Sequence, residues 1–306
     1  MADTKPVNAS LDEVPPSMPN VGAPPPAQPT QPTSDYVVVA PFPWRSWLEL
    51  AVVVSIVAWV LIAAVRSGVV SLEIIGRFLF GEGMLLAVGY TLYLATLGTI
   101  IAIILGIGVA LMRVSGDPVL SRLAAAYVFV FRGTPMLIQI LFWFNALPVM
   151  IKVFHIEIPF TNIVLVNAPT IAIITPFVAA LLGLSLAETG YMAEVVRSGM
   201  LGVDRGQRDA ARALGLTEST IQLRIVIPQG LRIVLPAIGN EYITMLKNTS
   251  LAYIIGYAEI LRRTSDIYTS NFRVMELLVV AAFWYLVLTS LVSLLQHAAE
   301  RRFPAR

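Results

Sequence analysis

The chain has no cysteine. Disulfides, thiolate nucleophiles and metal sites built on Cys are therefore excluded. Histidine is almost as scarce, with only His155 and His297, far apart, so a His-rich metal centre is excluded too. Charged residues make up 13% of the chain against 57% hydrophobic, and the mean hydropathy of +0.77 lies well above that of a domain with a charged, solvated surface. This composition predicts an integral membrane protein. Only three lysines occur, Lys5, Lys152 and Lys247, and none follows a glycine. No G-x-x-x-x-G-K-[ST] phosphate loop can form, so the chain is expected to bind no cofactor and to hydrolyse no ATP itself. The net charge is +2, but the arginines are spread by loop and not gathered in a patch, which argues against a nucleic-acid partner.

What the chain has in quantity is apolar runs. A helix needs about 20 apolar residues to cross roughly 30 Å of hydrocarbon, and six stretches approach that: Leu48–Val65, Met84–Met112, Leu123–Met150, Pro169–Ala187, Ile233–Tyr257 and Glu276–Gln296. The expected fold is all-α with about six transmembrane helices. Arg132-Gly133-Thr134-Pro135 interrupts the third span, and Pro236 with Asn240-Glu241 and Lys247-Asn248 breaks or polarises the fifth; both are read as kinked or partly re-entrant. Ahead of the first span, the first 35 residues carry nine prolines and little that could form a core, so residues 1–47 are expected to be a disordered tail with no cleavable signal. Lys and Arg favour cytoplasmic loops. With the N-terminus inside, twelve basic residues fall on the cytoplasmic side and six outside. Both termini, including the tail 300–306, and the loop near 197–230 are thus assigned to the cytoplasm of a multi-pass protein.

That loop is the most informative polar segment. Asp204 suits an N-cap, Gln207 stands where a capping box would reach back, and Gly215 suits the left-handed residue after a helix end, which predicts a helix over Arg205–Leu214. Ala210, Ala211 and Ala213 keep its surface thin, so another backbone could approach closely, and Asp209 can pair with Arg212 one turn on. The alternative is an ordinary amphipathic helix lying on the membrane surface. A second short helix is expected over Thr217–Arg224, leading into Ile225-Val226-Ile227-Pro228.

The order Asp209-Ala210-Ala211, three residues, Gly215, nine residues, Ile225-Val226-Ile227-Pro228 resembles the signature of bacterial ATP-binding-cassette importer permeases. Asp stands for the usual Glu and Ile for the usual Leu. Phe131-Arg132-Gly133-Thr134-Pro135, Tyr191-Met192-Ala193-Glu194-Val195-Val196-Arg197, Gly206-Gln207, Gly239-Asn240-Glu241 and Leu246-Lys247-Asn248-Thr249-Ser250-Leu251 look like the branch that takes up histidine, glutamine, glutamate and arginine. The resemblance covers residues 84–299. It implies a five-helix type I importer core with one extra N-terminal span, 48–83 lying outside that core. It further implies a coupling helix in which Gly206, Gln207, Asp209, Ala210, Ala211, Gly215, Ile225 and Pro228 engage a separate ATPase that holds ATP and Mg. The other implied partners are an extracytoplasmic amino-acid-binding protein and a second permease, either a further copy or a paralogue, all in the bacterial plasma membrane.

Charges inside the membrane are expensive and mark function by default. At 100° per residue, Asn240, Glu241, Thr244, Lys247 and Asn248 project onto one stripe of the fifth span, which is expected to line water, substrate or a partner helix. Glu241 could receive a substrate ammonium, or it could be a structural partner of Lys247. Glu188 and Tyr191 are candidates for an inner gate, while Glu194 and Arg197 read equally as an i,i+3 pair. Gly98, Gly106 and Gly108 signal close helix packing. The competing reading is an ion-coupled secondary transporter, which also uses broken helices and midplane charges.

Overall fold

A computed structural model describes residues 44–68, 70–158 and 164–302. The expected disordered tail lies outside the described residues up to position 43. In chain order the helices are α1 (Trp44–Arg66), α2 (Leu72–Leu79), α3 (Glu82–Val114), α4 (Pro118–Gly133), α5 (Met136–Leu141) and α6 (Leu147–Met150). Strands β1 (Val153–Glu157) and β2 (Val164–Pro169) follow, then α7 (Thr170–Ile173), α8 (Pro176–Leu201), α9 (Arg205–Ala213), α10 (Glu218–Ile221), α11 (Ile227–Asn248), α12 (Ile260–Asn271) and α13 (Val274–Arg302). The chain divides into two units at Ile56, within α1. The first is, among the described residues, the leading part of that apolar helix; the second carries everything else.

Four continuous helical stretches among the described residues are long and apolar enough to cross a membrane: Glu82–Val114, Pro176–Leu201, Glu218–Ile255 and Val274–Arg301. A fifth counts if α4 and the Met136–Met150 arm, which meet at 98°, are one broken span. The first expected span, Leu48–Val65, corresponds to α1, whose shorter apolar stretch is Trp47–Val60.

Several boundaries differ from the sequence expectation. The fourth span does not begin at Pro169, which ends β2. It begins at Pro176, behind the Thr175 cap whose Oγ1 accepts from the Val178 N–H at 3.3 Å, and it runs on through Arg197 because Glu194 pairs with that guanidinium at 2.6 Å. The loop assigned to 197–230 contracts accordingly, since helical backbone resumes at Glu218 and continues into the fifth span. Pro236 does not break that span either. It lies inside α11, and its carbonyl accepts from Gln296 Nε2 of α13 at 3.0 Å. The helical membrane fold is as expected, with one addition, the antiparallel pairing of β1 with β2, where β-branched residues alternate too briefly to stand out from the apolar background.

Two prolines are accommodated by one device. Proline has no N–H, and its ring collides with the carbonyl four residues back. Before Pro148 and before Pro228 the helix widens to a π turn: Leu147 N–H reaches the Phe142 carbonyl and Ile227 N–H the Gln222 carbonyl, five residues back instead of four. At the 98° break a side chain does the same service. Gln139, 7% exposed, donates from Nε2 to the Phe131 carbonyl at 2.9 Å and to the Thr134 carbonyl at 3.0 Å, two acceptors freed where Pro135 ends α4.

Close approach around α8 fixes the centre. A Cβ at Gly106 of α3 would lie 2.8 Å from Met192 Cβ, and one at Gly183 would lie 2.9 Å from the Ile140 backbone, so only glycine lets α3 and α5 sit this near. A Cβ at Gly98 would make ordinary contact with Met245 at 3.4 Å and Leu181 at 3.9 Å, and Gly108 faces open space. The resulting core holds Leu94, Ile140, Leu184, Met245 and Leu246. A second cluster, with Met84, Val88, Ile260, Val280 and Leu288, joins α3, α12 and α13. There Glu259 caps α12, accepting from Leu261 N–H at 2.8 Å, Arg262 N–H at 2.6 Å and Tyr285 Oη–H at 2.6 Å. Burial outweighs those donors and pushes its carboxyl up from 4.5 to about 7. Helix α2, outside the resemblance to the five-helix core, is tied to α13 by Trp284 Nε1–H to the Leu79 carbonyl, 2.8 Å, and by Ser71 N–H to Glu276, 3.3 Å.

Replacing Gln139 by Leu keeps the volume but strands two carbonyls, and should lower the stability of the detergent-purified protein by about 1–3 kcal/mol, read as a fall in thermal midpoint. The raised carboxyl of Glu259 contributes stability that is present below about pH 4.5 and is lost as pH rises through about 7. The melting temperature should decline over that interval, and Glu259→Gln should flatten the decline.

Candidate functional site

The loop between α8 and α11 is a small folded unit of its own. Asp204 Oδ1 accepts from Gly206 N–H at 2.6 Å, and the Asp204 carbonyl accepts from Gln207 N–H at 3.2 Å, so Gln207 joins the cap through its backbone. At the other end Gly215 adopts φ +76°, with Gly215 N–H bonded to the Arg212 carbonyl at 2.9 Å and Leu216 N–H to the Ala211 carbonyl at 3.2 Å. This paired closure requires a left-handed residue after the helix, which glycine adopts without a Cβ clash. Arg212 holds Asp209 at 3.2 Å, as its spacing predicts, and Glu218 across the turn at 2.6 Å. Arg208 reaches back to the Met200 carbonyl.

The alanines divide between two faces. Ala211, 3% exposed, packs inward with Val203, Ile221 and Val226, so it cannot offer the thin outer surface expected of it; it lets α9 lie close to the α10 segment instead. Gly206, Gln207, Asp209, Ala210, Ala213 and Gly215 are exposed, and Leu214 is 80% exposed. Gln207, Ala210 and Leu214 follow helical spacing, so α9 presents one shallow face ending in an unburied leucine. Ile225 is half-buried against the inner cluster, and Pro228 is exposed in the first turn of α11.

The polar stripe of α11 turns away from the core, as its periodicity predicts. Met245 and Leu246 are fully buried, while Asn240 and Lys247 are exposed and Glu241, Thr244 and Asn248 half-buried. Asn240 Oδ1 accepts from Gln296 Nε2 at 3.3 Å, Thr244 Oγ1–H donates to the Asn240 carbonyl at 3.0 Å, and Asn248 Nδ2 lies 3.2 Å from Met136 Sδ. Among the described residues no ion pair joins Glu241 to Lys247, so the structural-partner alternative is not realised. Glu241 instead approaches the carboxyl of Glu188 on α8. Sequence periodicity had no means of finding this apposition, because it depends on how α8 and α11 face each other. Tyr191, one turn beyond Glu188, lies under the Arg132 guanidinium at 4.9 Å. It is thus engaged with α4, and a Cβ at neighbouring Gly190 would lie 2.9 Å from Arg132 Cγ.

Comparison with known proteins decides the family. Residues 98–304 match the binding-protein-dependent transport system inner membrane component. The chain belongs to that family. It is 37% identical over 260 residues, 84% of this chain and 79% of the other, to the arginine transport system permease protein ArgU of Corynebacterium glutamicum. It is 31% identical over 212 residues, 69% of this chain and 89% of the other, to the glutamine transport system permease protein GlnP of Escherichia coli K12. Among solved structures, one titled as the crystal structure of an amino acid ABC transporter with histidines superposes with a TM-score of 0.65 at 30% identity, covering 76% of this chain and 100% of that one. Family membership sets aside the ion-coupled secondary transporter and makes this chain a membrane component whose energy comes from a separate ATPase.

Gly215→Arg places a side chain at a left-handed position on the exposed rim of the loop. It should leave the protein inserted but abolish uptake and recovery of the ATPase in a pull-down. Gly215→Ala, which adds only the strain of a Cβ at positive φ, about 1 kcal/mol, should retain partial function. A Gly215→Arg variant with normal uptake would refute the docking role of this loop.

Proposed function

We propose that this chain is a permease subunit of an ATP-driven importer of polar amino acids and that the α9 loop is its docking element for the ATPase. The observation that carries the reading is the self-contained loop: a helix capped at Asp204, closed at Gly215, stapled inward by Ala211 and left with an exposed face ending in Leu214. A helix that merely lay on lipid would bury an apolar face outward. Here Ala211 turns inward with Val203, Ile221 and Val226, while Gln207, Ala210, Ala213 and Leu214 of the helix stay exposed, a narrow and shallow face suited to a protein groove. ATP and Mg are held by the partner ATPase, and a solute-binding protein delivers the amino acid on the opposite side, in keeping with the family's dependence on a binding protein.

In this reading both termini and the α9 loop are cytoplasmic, and the Asn240, Glu241, Thr244, Lys247, Asn248 stripe lines the translocation pathway. The half-exposed state of that stripe calls for a second permease subunit, a further copy or a paralogue, to complete the pathway wall. Cargo is a polar amino acid, consistent with relatives whose names specify arginine and glutamine.

Orientation gives a direct test, because cysteines can be placed singly in a chain that has none. Cysteine at Ser115 or Ser219 should be protected from an impermeant thiol reagent in intact cells, and cysteine at Ser270 should react. Labelling of Ser219 from outside would reverse the topology and with it the motor coupling.

A further inference from the structure

Glu188 is the least explained side chain in the protein. It lies on α8 in the heart of a membrane-spanning helix and is 0% exposed, yet neither carboxylate oxygen has a hydrogen-bond donor among the described residues. Its polar neighbour across the helix interface is the carboxyl of Glu241, another group that, when ionised, only accepts. Nearby donors are committed elsewhere. Thr189 Oγ1–H goes to the Ser185 carbonyl at 2.7 Å, and the Arg132 guanidinium lies over Tyr191. Lys247, also on α11, is exposed and makes no ion pair among the described residues. Two adjacent carboxyls in a low-dielectric site cannot both ionise without a cation between them. Among the described residues no cation pairs with either carboxyl.

We propose that Glu188 is a specificity-determining residue which, with Glu241, seats the cationic side chain of a dibasic amino acid. A planar guanidinium carries five donors along two edges and can bridge two carboxylates at once, whereas an uncharged side chain of the same shape leaves at least one charge uncompensated. The half-buried Glu241 lies on the pathway stripe, and the fully buried Glu188 stands behind it as the second wall. The inference rests on the reading of this chain as a polar amino-acid permease, and it adds the substrate class: arginine-like cations in preference to neutral amino acids.

The test uses the purified permease–ATPase complex in detergent without the binding protein, so that selectivity is read from the membrane part alone. Labelled arginine is compared with citrulline, its neutral isostere. The wild-type complex should bind arginine about tenfold or more tightly than citrulline, the scale of a hydrogen bond to a charged group. Glu188→Gln should collapse that ratio mainly through weaker arginine binding, and Glu188→Asp, which keeps the charge, should retain much of it. Equal affinity for arginine and citrulline in the wild type overturns the proposal and requires no variant. An equal loss for both ligands in Glu188→Gln also overturns it, since that would mean the pair holds the α-ammonium common to all amino acids; so would an unchanged ratio, the result expected if the two carboxyls merely share a proton. The broader functional reading fails separately, if the complex in vesicles with binding protein and ATP takes up no amino acid at all.

Discussion

Every backbone N–H and C=O within the hydrocarbon must find its partner inside the protein, and the architecture follows from that requirement. It explains why the membrane part is helical and why each irregularity comes with a named compensation. Pro148 and Pro228 are each preceded by a π turn, in which the hydrogen bond reaches five residues back. The 98° turn at Thr134–Pro135 is held by Gln139, whose amide serves the carbonyls of the broken end. Pro236 stays within the continuous helix α11, where its own carbonyl accepts a further bond from Gln296 of the neighbouring α13.

With the backbone satisfied, packing of small residues sets which helices meet. Gly106 and Gly183 let α3 and α5 close on α8, and the core forms around Leu94, Ile140, Leu184 and Leu246. This arrangement leaves one face of α11 unburied. It also brings that helix against α8, so that Glu188 and Glu241 meet where neither helix alone would place a second charge. The proposed pathway is a by-product of this packing: the polar stripe is simply what the apolar contacts leave over. At the far end of α8 the chain leaves the apolar region and folds the α9 loop on a four-residue cluster of its own, Val203, Ala211, Ile221 and Val226.

Much of this was legible in the sequence. Composition decided membrane residence, because a chain with 57% hydrophobic residues and so few charges has no soluble solution. The caps of α9 were legible because capping chemistry is local: Asp204 and Gly215 act through backbone groups two or three residues away. The motif spacing around Asp209 and Gly215 carried the family, and the periodicity of α11 predicted which of its side chains stay out of the core.

Only the tertiary structure decided the rest, and for one reason: helical periodicity reports which face of a helix is polar but not which helix lies opposite. That is why Ala211, expected on the thin outer surface, packs inward, and why the two partners open to Glu241, a substrate ammonium or Lys247 of its own helix, do not include Glu188 of another. The β1–β2 pairing was hidden for a related reason, since its two strands come from separate stretches of chain, whereas the start of α8 at Pro176 rests on the local Thr175 cap. The sequence by itself determined the solvent this chain inhabits, its family and the ends of α9, because those depend on composition and nearest neighbours. Tertiary packing decided the pairing of its buried charges, because a carboxyl in low dielectric is defined by whatever stands across the interface.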